Sequence, residues 1–247
     1  MKVFFKIFIV FLACSVNCFA NISDIESKYS EKMKGAKTDY EMRIYTIEAT
    51  EKLKKHTDTI YQSLINTFNS KQINILEKNY SLWEKYTQDF NSSTIKILYK
   101  QKGSIYQDFA RMQVYNQALS RAIILNYLQD NSEFINYDYN SKQLNECLIN
   151  SKNESQKCEC YNKEISLIKK NINININNIS ERLNQEEFIE IQRAQISLEN
   201  YLNHTKKYLF KIINSQKNNS NKKIKKAQIL YMIYQNRLSE LLNLNFQ

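Results

Sequence analysis

The chain of 247 residues has no proline, two glycines, two histidines and one tryptophan. Many β-folds depend on Gly and Pro at their turns, so this scarcity argues against a sandwich or barrel and for helices joined by polar Asn/Ser turns. His56 and His204 have no triad partner at any readable spacing, which leaves nucleophile–base catalysis without a constellation and both side chains reading as solvated surface. Zinc sites use paired CxxC or HxxxH elements, and none is present, so neither a metal nor any other cofactor is implied. The chain reads as a non-enzyme.

Residues 1–20 carry Lys2 and Lys6, then a short apolar run over 7–13, then small residues ending at Ala20. That is the pattern of a secretory signal peptide cleaved after Ala20, with an apolar run too short to span a bilayer comfortably. Phe11, Leu12, Ala13 and Cys14 also approximate a lipoprotein box, so a lipid anchor at Cys14 is the alternative for this exported, periplasmic or secreted chain. Cys147, Cys158 and Cys160 remain after cleavage, and an oxidising compartment implies one disulfide and one leftover thiol.

The formal charge is +10, and +8 once Lys2 and Lys6 leave with the signal. A positive field favours anionic partners. The joint excess of Lys, Asn, Ile and Tyr is also what an AT-rich coding genome produces, so the sign of the charge does not name a partner. No Lys/Arg block is longer than Lys222-Lys223 and Lys225-Lys226, and no aromatic–glycine signature interleaves them, which speaks against nucleic acid.

What the chain does have is an internal repeat. Moved 115 positions without a gap, Tyr61, Leu64, Phe68, Ile73, Leu76, Trp83 and Tyr86 fall on Ile176, Ile179, Leu183, Phe188, Ile191, Leu198 and Tyr201. Self-similarity at a fixed offset divides the chain into two diverged copies. The expected organisation is all-α: a first domain over 21–128, a linker over 129–145 and a second domain over 146–247, each an antiparallel three-helix unit. In copy one the helices span about 39–68, with Ile44, Ile47, Leu53, Ile60, Leu64 and Phe68 inward, then about 71–90, then about 104–128. In copy two they span about 159–183, 186–216 and 222–244. Ser70 reads as a helix cap, Asn184 with Glu187 as a capping box, and residues 21–35 as a polar leader or a frayed first turn. Alternation over 171–179 mimics a strand, but its counterpart in copy one is helical. Trp83 and Tyr86 share a helix face with Ile73, Leu76, Tyr80 and Phe90, so both read as core, and Trp83→Ala is expected to cost about 3–5 kcal/mol.

Aligned on the repeat, the chain resembles the LprI N-terminal domain family, small exported helical domains labelled lysozyme-inhibitor-like. Copy one is similar at Tyr61, Leu64, Phe68, Leu76, Trp83 and Tyr86, at Gly103-Ser104, and at Leu119, Ser120 and Arg121; copy two at Cys160, Ile172-Asn173, Ile176, Ile179, Leu183, Ile191, Gln195 and Tyr201. Asn91 and Tyr115 in copy one, and Lys206 and Leu230 in copy two, replace two further family cysteines, while Thr87 and Leu202 replace an arginine. Cys147 and Cys160 resemble the leading pair, which implies a disulfide between them, with Cys158 either the spare thiol or the competing partner.

The resemblance implies an exported binding protein whose partner is lysozyme or another muralytic enzyme. The turn Lys102-Gly103-Ser104 is then the candidate binding element, offering a cation and a hydroxyl to the paired carboxylates of a hydrolase cleft. Its plainer reading is a tight turn with positive φ at Gly103. A strongly basic lysozyme would repel a +8 partner. A different class of function is a structural envelope protein that holds anionic glycan or lipid on its basic faces.

Overall fold

The computed structural model describes residues 21–95, 97, 104–129, 135, 141–217 and 221–245. Residues 1–20, read from the sequence as a signal peptide and holding Cys14, and both Lys102 and Gly103 lie outside these residues. The described residues are almost entirely helical, with no strand among them. In chain order they form α1 (Ile22–Gly35), α2 (Asp39–Thr67), α3 (Ser70–Phe90) with a π-helical extension (Asn91–Ile95), and α4 (Ser104–Asn126). Then come α5 (Lys142–Asn150), α6 (Glu154–Ser180), α7 (Gln185–His204) with a second π-helical extension (Thr205–Leu209), α8 (Phe210–Ser215) and α9 (Lys222–Asn245).

The helix starts obey the repeat. Thr38 Oγ1 accepts from Glu41 N at 3.1 Å and, 115 positions on, Asn153 Oδ1 accepts from Gln156 N at 3.0 Å. Asn69 and Asn184 cap α3 and α7 in the same way, taking Gln72 N at 3.0 Å and Glu187 N at 2.9 Å. Each side chain satisfies one of the backbone donors that a helix start leaves orphaned. The cap of α3 is therefore Asn69, and Ser70 is its first helical residue.

Three sequence expectations change. Residues 21–35 are no leader: they form α1, which buries Ile22, Ile25 and Tyr29 against the core. Its counterpart α5 begins at Lys142, inside the segment read as linker. Along α2 the buried stripe runs through Thr46, Ala49, Thr50, Leu53, Thr57, Ile60 and Leu64, while Ile47 is exposed. Threonine can take core positions here because its hydroxyl bonds the preceding turn, as Thr50 does to Thr46 O and Thr57 to Leu53 O, both at 2.7 Å.

The helix directions also differ from an antiparallel three-helix unit. α2 packs along α4 with the two running parallel: Arg43 near the start of α2 holds Asp108 near the start of α4, and Tyr61 far along α2 lies in the field of Arg121 far along α4. In copy two α6 and α9 pair likewise, from Glu154 beside the Lys223 and Ile224 amides to Lys169 over the Tyr234 ring. The middle helices leave their own copies and pack on each other. α3 and α7 run antiparallel, with Asn79 Nδ2 donating to Thr205 Oγ1 at 3.0 Å and Ser197 Oγ to Asp89 Oδ2 at 2.5 Å. Between these bonds Tyr86 and Tyr201, equivalent in the repeat, stack at 6.5 Å with an interplanar angle of 11°. An element meeting its own equivalent is the signature of a two-fold interface, here within one chain. One hydrophobic cluster accordingly runs through both copies.

The short first helix of each copy is clamped to the long second one by different chemistry. In copy two Cys147 and Cys160 form a disulfide with Cα atoms 5.8 Å apart, and Cys158 is free. The positions 115 residues earlier are Lys32 and Tyr45, where the ammonium sits 4.9 Å from the ring centroid and also meets Glu48 at 2.6 Å.

Candidate functional site

Because α3 leans onto α7, a cleft of about 340 Å³ opens in copy one between α3 and the parallel pair α2 and α4. α2 contributes Lys54, Thr57 and Asp58; α3 contributes Tyr80, Trp83 and Glu84; α4 contributes Val114, Gln117, Ala118 and Arg121. Lys54, Asp58 and Glu84 are exposed and form the mouth, whereas Gln117 and Arg121 are buried and form the inner wall. Apolar walls with a few convergent polar groups are the usual makeup of a ligand site.

Arg121 is 1% exposed. Its guanidinium carbon lies 5.2 Å from the ring centroids of both Tyr80 and Trp83, and its Nη1 donates to Asn79 Oδ1 at 2.8 Å. Its Nε and Nη2 have no hydrogen-bond partner within the protein, nor do both amide atoms of Gln117 or Oδ1 of Asn91, which also borders the cleft. Burial pulls the guanidinium below its ordinary range; the Tyr201 hydroxyl, near enough to interact with it but not in hydrogen-bonding geometry, acts in the opposite direction together with Tyr80 and Tyr61. Burial also raises the Tyr80 hydroxyl, with Glu84 adding to the rise. A buried guanidinium with two free donors is costly unless something completes it.

Copy two shows the completed version. Arg237 lies 116 positions after Arg121 and is also fully buried, but Nε donates to Gln195 Oε1 at 3.0 Å, Nη2 to Ile191 O at 3.1 Å, and Nη1 pairs with Glu240. The shift from 115 to 116 follows the burial pattern: Tyr115 and Tyr231 are both 0% exposed, so the structural partner of Tyr115 is Tyr231 rather than Leu230. In that register Tyr234 matches Ala118. Its ring, with Lys169 at 4.9 Å and Lys206 at 5.7 Å from its centroid, stands where copy one has the cleft. At that position the cleft of copy one is lined by Ala118, which has no ring to fill it.

Of the residues expected from sequence to form the core, Leu64, Leu76, Tyr86, Ile179, Ile191, Leu198 and Tyr201 are buried. Tyr61, Phe68, Trp83, Ile176 and Leu183 are only partly buried and pack against that core. Trp83 is thus a cleft wall as well as a packing residue. His56 and His204 are half-buried rather than solvated, and burial lowers both imidazoles. Ser104 opens α4, with Lys102 and Gly103 outside the described residues. The last helix of copy two is preceded by Asn221, whose φ is 63°, a left-handed conformation that Asn tolerates. Aligning α4 and α9 one residue out of the common offset is the signal that pairs Arg121 with Arg237 and Ala118 with Tyr234.

A second concavity lies at the junction of α3 with the π-helical extension of α7, lined by Lys71, Ile75, Lys78, His204 and Tyr208. Lys207 and Lys211 add their ammonium groups at 5.1 and 5.6 Å from the Tyr208 ring centroid. Among the described residues no group of His, Cys, Asp or Glu is placed to hold a metal ion, and no helix is long and apolar enough to cross a membrane. No family model, curated protein or solved structure matches the chain.

Proposed function

We propose that the protein is an exported, non-enzymatic binding protein of the LprI-like kind, with the Arg121 cleft as its recognition site and a muralytic enzyme as its partner. The observation that carries the site is the buried guanidinium whose Nε and Nη2 have no partner within the protein. Guanidinium, amide and aromatic groups hold a ligand without transforming it, and the one face they share is the cleft. The partner class rests on the family resemblance. Turnover of several muralytic enzymes, with and without the purified chain and its Ala118→Tyr variant, tests the reading. Inhibition or complex formation that the variant loses is the expected result. The absence of both across all enzymes overturns the partner, and a complex indifferent to Ala118→Tyr overturns the site.

The second reading, a structural envelope protein holding anionic glycan or lipid, is favoured by one observation: Lys71, Lys78, Lys207 and Lys211 gather around Tyr208. Co-sedimentation with anionic vesicles and with cell-wall sacculi tests it. Binding through these exposed charges falls at high salt, so binding unchanged by salt, or no binding, counts against it.

A further inference from the structure

We propose that the Arg121 cleft takes a carboxylate carried on an apolar or aromatic body, gripped by the Nε and Nη2 edge of the guanidinium, with the body lying against Tyr80 and Trp83. This inference rests on the cleft being the recognition site and adds the chemistry of its ligand.

Three observations converge on that chemistry. The first is which two nitrogens lack partners. Nε and Nη2 present their N–H bonds along one side of the guanidinium, parallel and spaced to match the two oxygens of a carboxylate. The same edge is used elsewhere in this chain: Arg43 Nε meets Asp108 Oδ1 at 2.8 Å and Nη2 meets Asp108 Oδ2 at 3.4 Å. The second is the internal comparison. Arg237 in copy two has an acceptor at every nitrogen, Gln195 Oε1 on Nε, the Ile191 carbonyl on Nη2 and Glu240 on Nη1, whereas in copy one Nη1 meets the neutral Asn79 and the position matching Glu240 is Ile124. Copy one thus has the cation with only a neutral amide on Nη1, no carboxylate beside it to balance the charge, and an Nε and Nη2 edge that its own acceptors do not fill. The third is the wall. Ala118 leaves open the volume that the Tyr234 ring takes in copy two, and the half-buried rings of Tyr80 and Trp83 border it. An aromatic or aliphatic body fills that space as the Tyr234 ring does in copy two.

The guanidinium is stacked on the Trp83 ring, so entry of the carboxylate shifts that ring and changes the emission of the only tryptophan. The charged mouth of Asp58 and Glu84 beside Lys54 leaves the far end of the ligand free to be polar. A free organic acid and the C-terminal carboxylate of a peptide ending in an apolar residue share this chemistry.

The experiment uses the full chain and follows Trp83 fluorescence and calorimetric heat during titration with 3-phenylpropionate, its neutral amide, phenyl phosphate, and a tripeptide ending in Phe with a free or amidated C-terminus. Saturable binding of the phenylpropionate or of the free-carboxylate peptide, weakened about tenfold or more in the matching amide, is the expected result for a charge-assisted pair. Which of the two saturates identifies the source. Arg121→Met and Ala118→Tyr should each remove that binding, and Arg121→Lys, a point charge without the fork, should weaken it. Equal binding of acid and amide, or carboxylate binding that survives both Arg121→Met and Ala118→Tyr, overturns the proposal. Phenyl phosphate binding that needs Arg121, with no carboxylate binding, overturns the carboxylate but leaves the cleft as an anion site. No binding of any probe, with enzyme capture still lost in Ala118→Tyr, overturns the ligand class and leaves the proposed function standing. The comparison of acid with amide needs no variant, so a misfolded variant does not block the test.

Discussion

Copy one and copy two fold the same helices around the same buried arginine and finish it differently. In copy two Arg237 is closed by Gln195, the Ile191 carbonyl and Glu240, and in the matching register Tyr234 stands at the cleft position. In copy one Ala118 opens a cleft beside an arginine with two free donors. Two matching halves of one chain can thus differ in whether a buried arginine is closed from within.

The sharpest way to break this comparison is to unpair the closed copy. Glu240→Ala leaves Arg237 buried without its carboxylate and should cost about 3–5 kcal/mol in urea unfolding. Arg121→Met removes a charge that has no ion-pair partner, so its stability should stay within about 1 kcal/mol of the parent or rise. Equal costs would mean that the two arginines are energetically alike and that the cleft is no relaxed version of the closed site.

The next contrast is between Leu198 and its equivalent Trp83. Leu198 is 0% exposed, and Leu198→Ala should cost about 2–5 kcal/mol. Trp83→Ala should cost about half of the 3–5 kcal/mol of a fully buried aromatic, because part of its ring faces the cleft. A thermal shift larger for Trp83 than for Leu198 would return Trp83 to the core.

The clamps differ in strength as well. Replacing Cys147 and Cys160 by Ser should cost about 2–3 kcal/mol, since the crosslink closes a 13-residue separation in the unfolded chain. Tyr45→Ala removes the ring beneath the exposed Lys32 ammonium together with its packing against the core, and should lower the melting temperature by less than the cysteine replacement does. Differential scanning calorimetry of the two variants, with the oxidised parent as reference, measures the gap.

The smallest effect is in pH. Burial lowers both His56 and His204, so on acidification the unfolded chain takes up protons first and stability falls as pH drops below about 6.5. Above that pH both states are neutral there and the contribution vanishes. His56→Asn, the residue found at the equivalent Asn171, should flatten this slope by less than about 1 kcal/mol between pH 7.5 and 5.5. A steeper slope in the variant would reverse the assignment.

Much of the fold was legible because a repeat is a pattern of apolar positions and caps, and both are local. The offset that pairs Leu76 with Ile191 also pairs Thr38 with Asn153 and Asn69 with Asn184, and the helices begin at those caps. The matched cysteines foretold the Cys147–Cys160 bond. The helix α1 was missed because its polar surroundings hide three buried residues, Ile22, Ile25 and Tyr29. The α2 stripe was misread at Ile44 and Ile47 because buried threonines satisfy their hydroxyls within the helix and look polar in a pattern of hydrophobicity.

By itself, then, the sequence determined an all-helical chain and most helix starts, because period and capping act over a few residues, while the Cys147–Cys160 crosslink was what the family resemblance implied. Only the tertiary structure decided that α3 and α7 desert their own copies to stack Tyr86 on Tyr201, and that Ala118 leaves a cleft where Tyr234 has a ring. Those outcomes depend on which distant surfaces bury each other best. Periodicity tells a helix which face to hide, and it says nothing of the partner that hides it.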